Sequence, residues 1–179
     1  MTLVPSGGLQ SMDTQPLTQP TIIERGEQTY VGVRRTITMS TFPEIADRIP
    51  EVFGWLASRG IAPSGPPFFR FNLIDMDREL VVEAGVPVPA AVTAEEDVFC
   101  DVLPAGRYAT VTHIGHPDEL IEVTGALLRW ASARGLEWDM EDTGDGQRWG
   151  CRLEIYHTDP REEPDMSRWE TQLAFRLAG

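Results

Sequence analysis

Alternating apolar and polar residues along much of the chain predict a protein built largely from β-strands. These segments are rich in β-branched and aromatic residues and are bounded by turn-forming residues. Two of them, at 66–75 and 79–88, are separated by a short turn and are predicted to form a β-hairpin. The predicted strands cover residues 30–39, 66–75, 79–88, 98–115, 149–157 and 168–177, with a Pro-Ala-Gly turn inside the fourth.

Two further segments carry apolar residues at helical spacing. The first begins at a capping-box pattern, Thr41 to Glu44, and ends at Gly60. Pro50 interrupts this segment and predicts a kinked or divided helix. The second begins at His116 and ends at Gly135. The order strand, helix, strand, strand therefore occurs twice along the chain.

A sparse internal match indicates that this repeated order is a duplication. The segment 55–61 (WLASRGI) matches 130–136 (WASARGL) at an offset of 75 residues. The alternative is that two amphipathic helices ending in Arg-Gly match by chance. We expect an α+β fold of two tandem βαββ modules with pseudo-twofold symmetry, at about residues 21–95 and 96–179. Residues 1–20, rich in Gly, Pro, Ser, Thr and Gln, are expected to be a disordered leader or an expression remnant.

The charge of the chain excludes several classes of function. Its 28 acidic and 15 basic residues give a net charge of −13, which argues against direct binding to nucleic acid. All the basic residues are arginine, so Schiff-base chemistry and a Walker-type phosphate lysine are excluded. No run of residues resembles a signal peptide or a membrane span, and we expect a cytoplasmic protein that does not bind membranes.

The residues that commonly hold metals or act as nucleophiles show no matching pattern. The three histidines lack metal-binding spacing, and neither HExxH nor CxxC occurs. Cys100 and Cys151 lie in strand-like apolar segments and are expected to be free thiols. No GxSxG motif and no glycine-rich phosphate loop is present. We therefore expect no metal site and no cofactor.

Strand alternation at 152–156 provides the leading candidate for a site. Leu153 and Ile155 share one face of the strand, and Glu154 and Tyr156 share the other with Arg152. We expect the apolar pair to pack under a helix, which leaves Glu154 and Tyr156 on the open face where a groove forms. The alternative is a solvated glutamate paired with an arginine, which would have no function.

Aromatic side chains on other predicted strands are further candidates for lining a groove. Tyr108 is the first aromatic residue of its strand, and His113 lies near the end of the same strand. Phe69 and Phe71 share one side of their strand by alternation. The alternative for each of these residues is an ordinary position in the core.

Two tryptophans flank an acidic segment. Trp138 and Trp149 lie beside residues 137–145, which contain five carboxylates. The π face of a tryptophan can form one wall of a cation site. The alternative is a solvated loop whose tryptophans cap the core, and Trp55 and Trp130 are expected to be core residues.

Taken in order, the motifs of this chain resemble a known family. It is similar to the GyrI-like, or AraC-type effector-binding, small-molecule-binding domains, found attached to bacterial multidrug-responsive regulators and as free-standing proteins. Coverage runs from about residue 22 to 177. The matching segments are 30–33 (YVGV), 65–68 (GPPF), 83–88 (EAGVPV), 103–108 (LPAGRY), 113–115 (HIG), 130–135 (WASARG) and 153–156 (LEIY).

The resemblance implies an antiparallel sheet with helices on one face and a ligand groove on the other. It also implies that Glu154 occupies the position of a glutamate that pairs with lipophilic cations in an aromatic pocket. The leader leaves no room for a DNA-binding domain, so we expect a free-standing member. The first hypothesis is therefore binding of hydrophobic, cationic small molecules by Glu154, Tyr156, Tyr108, Phe69, Phe71, Trp138, Trp149 and His113.

Two alternative functions follow from the same resemblance. Some free-standing relatives are similar to hydrolases that open reactive cyclopropane rings, with Glu154 as general base and Tyr156 or Tyr108 as its partner. The family name also refers to inhibition of DNA gyrase, and an acidic protein can compete for a DNA-binding surface, so a protein partner is a third hypothesis. The sequence leaves the ligand and the oligomeric state open.

Overall fold

Ten β-strands form one antiparallel sheet in the computed structural model, which describes residues 19–95 and 97–179. The predicted leader therefore lies outside the described residues, except for residues 19 and 20. The sheet and its helices confirm the predicted α+β class. The strands are β1 (Thr21–Arg25), β2 (Gln28–Ile37), β3 (Phe68–Ile74), β4 (Leu80–Pro87), β5 (Phe99–Leu103), β6 (Gly106–Ile114), β7 (Met140–Thr143), β8 (Gly146–Trp149), β9 (Arg152–Tyr156) and β10 (Glu170–Arg176).

The main path of the sheet runs in the order β1-β6-β10-β9-β3-β4-β2-β5, and the β7–β8 hairpin attaches to β3. Strands of the first half, β2, β4 and β3, lie on one side. Strands of the second half, β6, β10 and β9, lie on the other, and the halves meet where β9 pairs with β3. This order is compatible with the predicted duplication, which stays a prediction.

In the described part of the chain three α-helices accompany the sheet: α1 (Pro43–Ala46), α2 (Ile49–Ser58) and α3 (Leu120–Ala133). The first predicted helix is divided into α1 and α2, because Pro50 lies in the first turn of α2, where its missing N–H costs nothing. A 3₁₀ turn, Pro117–Glu119, leads into α3, and a second one covers Met166–Arg168. None of these helices combines the length and the apolar character that a membrane span requires.

The last turns of α2 and α3 share the sequence feature that suggested a repeat. The Arg59 guanidinium lies 4.1 Å from the centre of the Trp55 ring, and that of Arg134 lies 4.7 Å from the Trp130 ring. A glycine with positive φ follows each arginine, at +69° for Gly60 and +70° for Gly135. These positions end the helices because glycine adopts this conformation without a steric penalty. Both tryptophans are partly buried against the core.

Each face of the sheet has its own buried cluster. On the helix-bearing face, helix residues such as Ile45, Val123 and Leu127 pack on strand residues in a helix-side core. The opposite face carries none of the described helices, yet it is also apolar and buried. This helix-free core consists of Tyr30, Phe68, Leu103, Tyr108, Cys151, Leu153, Ile155 and Ala174.

The prediction that the apolar side chains of β9 face the helices, with Glu154 on the opposite face, is wrong. Leu153 and Ile155 do not pack under a helix but are buried in the helix-free core with Tyr30 and Phe68. Glu154, on the alternate side of β9, therefore faces the helices. Strand alternation specifies which residues share a face, but it cannot assign the helices to a face when both faces are apolar.

Candidate functional site

A cavity of about 340 Å³ opens on the helix-bearing face of the sheet. Strands β3, β4 and β9 contribute part of its lining, and the segment before α1 and the beginning of α3 contribute most of the rest. The lining is largely apolar. The residues around it are Met39, Phe42, Phe71, Ile74, Met76, Leu80, Pro117, Leu120, Ile121, Thr124, Arg152, Glu154 and Tyr156.

Glu154 is the carboxylate of this cavity. It lies in the middle of β9, opposite Phe69 of β3 and Leu173 of β10, so its neighbours across the sheet are apolar. Burial raises the pKa of the Glu154 carboxyl, while the Tyr156 hydrogen bond and the charge of Arg152 act in the opposite direction. Desolvation is the largest of these effects because few water molecules can reach the charged form.

Tyr156 is the hydrogen-bond partner of this glutamate. Its hydroxyl donates to Glu154 Oε1 at 2.5 Å, and its ring contacts Phe69 edge to face at 5.2 Å. Burial and the neighbouring carboxylate raise the pKa of Tyr156 well above its ordinary value. Tyr156 is therefore a proton-bearing donor at neutral pH. Glu154 and Tyr156 lie together, as strand alternation predicted.

Arg152 is the second charged group of the cavity. Its guanidinium lies 4.8 Å from the Trp149 ring centre and 4.4 Å from the Phe175 ring centre. Burial lowers the pKa of Arg152 to about 10, so the side chain stays charged at neutral pH. No ion pair joins Arg152 to Glu154 among the described residues, although the two lie on one face of the strand.

The predicted aromatic residues are divided between the cavity and the core below it. Phe71 lines the cavity, and Phe69 is buried beneath it, with ring centres 5.0 Å from Phe42 and 5.2 Å from Tyr156. Trp138 and Trp149 pack on each other and on Phe175, outside the lining. The cation over Trp149 is Arg152 of the chain itself, so these rings do not form an open cation site beside the acidic segment.

The structure does not bring Tyr108 and His113 to the cavity. Tyr108 belongs to the helix-free core, where its hydroxyl donates to the Pro104 carbonyl at 2.6 Å. His113 lies on the helix-bearing face, but it is buried with Nε2 2.8 Å from Glu119 Oε1 and does not line the cavity. Tyr108 is outside the cavity because it lies on the opposite face of the sheet, and His113 is outside it because β10 lies between β6 and β9.

Several lining residues carried no signal in the sequence. Phe42, Met39 and Met76 lie in segments between the strands, and Leu120 and Ile121 lie at the beginning of α3. Ile121 lines the cavity and is 74% exposed, so the cavity is open to solvent at the beginning of α3.

A second buried carboxylate lies on the opposite face. Glu83 of β4 is 1% exposed and accepts hydrogen bonds from Tyr30, from Asn72 at 2.7 Å and from the guanidinium of Arg34 at 2.8 Å. Arg70 donates to the Tyr30 hydroxyl at 3.0 Å. Each of these donors is directed at the carboxylate or its tyrosine, so the carboxylate itself is fully hydrogen-bonded, and no cavity among those described adjoins it.

The described residues contain no group of three or more His, Cys, Asp or Glu side chains placed to hold a metal ion. Cys100 and Cys151 are free thiols, as the sequence predicted.

A family model described as the GyrI-like small molecule binding domain matches residues 18–178. The fold is also similar to that of EcmrR in its DNA complex, with a TM-score of 0.74 and 18% identity over 94% of this chain. The chain spans only 60% of that EcmrR chain. It aligns with 99% of the EcmrR C-terminal domain over 91% of its own length, with a TM-score of 0.71 and 18% identity.

Two further solved structures share the fold. SAV2435 bound to tetraphenylphosphonium has a TM-score of 0.58 and 10% identity, with 90% of this chain and 94% of that chain covered. A hydrolase from Listeria innocua has a TM-score of 0.62 and 16% identity, with 94% and 96% covered. At these identities the likeness establishes the fold alone. No curated protein sequence matches the chain.

Proposed function

Because this chain belongs to the GyrI-like small-molecule binding domains, we propose that it binds hydrophobic cations in the cavity on the helix-bearing face, with Glu154 as their counter-charge. One observation carries the proposal: a largely apolar cavity of about 340 Å³ contains a carboxylate whose hydrogen-bond partner is a tyrosine.

The size and lining of the cavity suit a compact aromatic ligand. Its volume lies at the lower end of the range for small-molecule sites, about 300–1,000 Å³. The rings of Phe42, Phe71 and Tyr156 offer π faces, which attract cations by about 0.5–2 kcal/mol each. A carboxylate in such surroundings attracts a cation more strongly than it does in water, because the local dielectric constant is lower.

Ionisation of Glu154 couples this binding to pH. The raised pKa means that the folded protein keeps the proton to a higher pH than a solvated glutamate does. A bound cation favours the ionised form, so binding releases this proton. The affinity for a permanent cation therefore rises with pH until Glu154 is fully ionised.

A structural neighbour supports the choice of ligand class. SAV2435 has been solved with tetraphenylphosphonium, a lipophilic cation, and it shares this fold. Tetraphenylphosphonium is therefore the first probe to use.

The test is calorimetric titration of tetraphenylphosphonium into the wild type and into Glu154→Gln at pH 8. We expect binding to the wild type and a loss of at least about tenfold in the variant, the usual effect of removing a charge-assisted contact. Glu137→Gln is the matched control, because it removes the same charge from an exposed position outside the cavity. The absence of wild-type binding, or equal binding by Glu154→Gln, would overturn the proposal.

A second candidate function is hydrolysis of electrophilic cyclopropanes. It is favoured by a carboxyl group of raised pKa with a proton-bearing tyrosine 2.5 Å away, and two structural neighbours from Listeria innocua carry the name hydrolase. Glu154 would take a proton from water while the water oxygen bonds to a ring carbon. The ring C–C bond then breaks and its electron pair moves to a conjugated carbonyl. The oxygen that forms takes the proton of the Tyr156 hydroxyl, and Glu154 returns the proton it took from water to Tyr156.

Mass spectrometry of an activated aryl cyclopropane incubated with the protein tests this candidate. Turnover adds one water to the substrate, and Glu154→Gln is expected to be inactive. Tyr108→Phe is expected to be as active as the wild type, because Tyr108 lies on the other face of the sheet. A Glu154→Gln protein as fast as the wild type would exclude the mechanism.

A further inference from the structure

The guanidinium of Arg152 occupies an unusual position for a cation. It lines the same cavity as Glu154 and is held against Trp149 and Phe175 at 4.8 and 4.4 Å from their ring centres. Within the described part of the chain its surroundings include the charge of Glu154 but no hydrogen-bond acceptor for its N–H groups. By contrast, Arg176 of the neighbouring strand β10 donates to Asp139 at 2.8 Å.

This arrangement leaves the donors of Arg152 available. A guanidinium has five N–H donors in its plane, and stacking on aromatic rings occupies only its faces. The side chain is partly exposed and lines the cavity, so a ligand in the cavity can reach these donors. The aromatic packing also fixes the group before any ligand arrives, which reduces the entropy lost on binding. The free edge of a fixed guanidinium matches the two oxygens of a carboxylate.

Glu154 does not satisfy these donors. Residues two apart on a strand are separated by about 6.6 Å along it, and Glu154 is hydrogen-bonded to Tyr156 instead. The two charged groups of the cavity are therefore not paired with each other. Burial raises the pKa of Glu154, so its negative charge is lost at a higher pH than that of a solvated glutamate. Arg152, with a pKa of about 10, keeps its positive charge at neutral pH.

We propose that Arg152 forms a carboxylate-binding subsite in this cavity, and that the preferred ligand is a soluble aromatic zwitterion. Its cationic group lies against Glu154, and its carboxylate, about 6–7 Å away, lies against Arg152. This inference rests on the proposed function for the cationic half of the ligand. It adds a second recognition element that discriminates against simple lipophilic cations.

Two matched probes test the subsite. Pentyltriphenylphosphonium is a permanent cation with an apolar tail, and (4-carboxybutyl)triphenylphosphonium carries a carboxylate on a tail of similar length. We expect the wild type to bind the carboxylate-bearing probe at least about tenfold more tightly at pH 7.5, as charge-assisted hydrogen bonds imply. In Arg152→Gln this preference disappears, while the affinity for the pentyl probe is unchanged or increased, because a repelling cation has been removed.

Further variants separate a lost subsite from a damaged fold. Arg152→Met keeps a long side chain over the two rings and is also expected to lose the preference. Arg152→Lys restores the charge but not the planar fork, and we expect it to recover part of the preference. Arg148→Gln, which removes an exposed arginine outside the cavity lining, is the charge control and should behave as the wild type.

The outcomes distinguish this inference from the proposed function. If the pentyl probe binds in a manner that depends on Glu154 but the carboxylate gives no advantage, the subsite is overturned and the proposed function stands. A carboxylate preference that persists in both Arg152→Gln and Arg152→Met also overturns the subsite. If neither probe binds the wild type, both proposals fail.

Discussion

In the described residues two glutamates accept a hydrogen bond from a tyrosine, and the two pairs lie on opposite faces of the sheet. Glu83 also receives donors from Arg34 and Asn72, and no described cavity adjoins it. Glu154 has only Tyr156 and lines a cavity. The same two residue types therefore stabilise the core on one face, whereas on the other face the carboxylate can still pair with a ligand.

The difference lies in the number of partners. A buried carboxylate with several donors is stabilised in the folded protein, and its oxygens are not free to pair with a ligand. A carboxylate with one donor in an apolar cavity is costly to ionise, and a cationic ligand reduces that cost. This comparison can be tested by making the same substitution at both positions.

The largest effect is expected for Glu83→Gln, with Glu154→Gln as its matched control. The carboxylate at position 83 accepts from Tyr30, Arg34 and Asn72, whereas the amide of glutamine has only one accepting oxygen and adds N–H donors of its own. At least one of the three donors is therefore left without an acceptor. We expect a loss of about 3 kcal/mol in the free energy of unfolding, measured by urea denaturation. Glu154→Gln should lower it by less than about 1 kcal/mol, because the amide oxygen still accepts from Tyr156. Equal losses would show that the two carboxylates play the same structural role.

Removal of the tyrosine hydroxyls is expected to have a smaller effect in the same direction. Tyr30→Phe removes a group that donates to Glu83 and accepts from Arg70, whose Nε is already buried without a partner. We expect a loss of about 2 kcal/mol in the free energy of unfolding, against at most about 1 kcal/mol for Tyr156→Phe. Thermal or urea denaturation of both variants measures the difference, and a larger loss for Tyr156→Phe would reverse the comparison.

The difference in the pH dependence of stability between the wild type and Glu154→Gln reports on the ionisation of Glu154. In the unfolded chain this glutamate loses its proton at about pH 4.3, whereas its raised pKa in the folded protein retains the proton to a higher pH. The wild type therefore loses stability relative to Glu154→Gln as the pH rises through this window. The total is about 1.4 kcal/mol for each unit by which the pKa is raised.

Denaturation curves of the two proteins between pH 4 and pH 8 measure this difference. A difference that stays constant with pH, or one that grows in favour of the wild type, would contradict a desolvated Glu154. Saturating tetraphenylphosphonium should reduce the difference, because the bound cation stabilises the ionised carboxylate.

Strand alternation predicted much of this site from the sequence, because a period of two is a local property. It placed Glu154 with Tyr156 and Phe69 with Phe71, and the structure brings these four residues to one face. It could not show which face the helices cover, because Leu153 and Ile155 are buried equally well in the helix-free core. The carboxylates of the acidic segment interrupt the alternation of apolar and polar residues in β7 and β8, so the sequence did not predict the hairpin that these strands form.

The cavity walls were beyond prediction from local patterns. Phe42 and Ile121 come together across the cavity from segments far apart in sequence, and their positions depend on how the helices pack on the sheet. The position of Arg152 could not be predicted for a similar reason. Pairing of Glu154 with an arginine was one of two alternatives in the sequence, but the Arg152 guanidinium lies against the rings of Trp149 and Phe175.

Tyr108 and Tyr156 allow a final test of whether the helix-free face takes part in binding. The Tyr108 hydroxyl donates to the Pro104 carbonyl at 2.6 Å, so Tyr108→Phe should cost about 1 kcal/mol of stability and leave the affinity for tetraphenylphosphonium unchanged. Tyr156→Phe removes the hydroxyl that donates to Glu154 and so destabilises the ionised carboxylate. We expect the affinity for tetraphenylphosphonium to fall severalfold at pH 7. Calorimetric titration of both variants measures these effects. A weakened Tyr108→Phe beside an unaffected Tyr156→Phe would contradict binding in the cavity on the helix-bearing face.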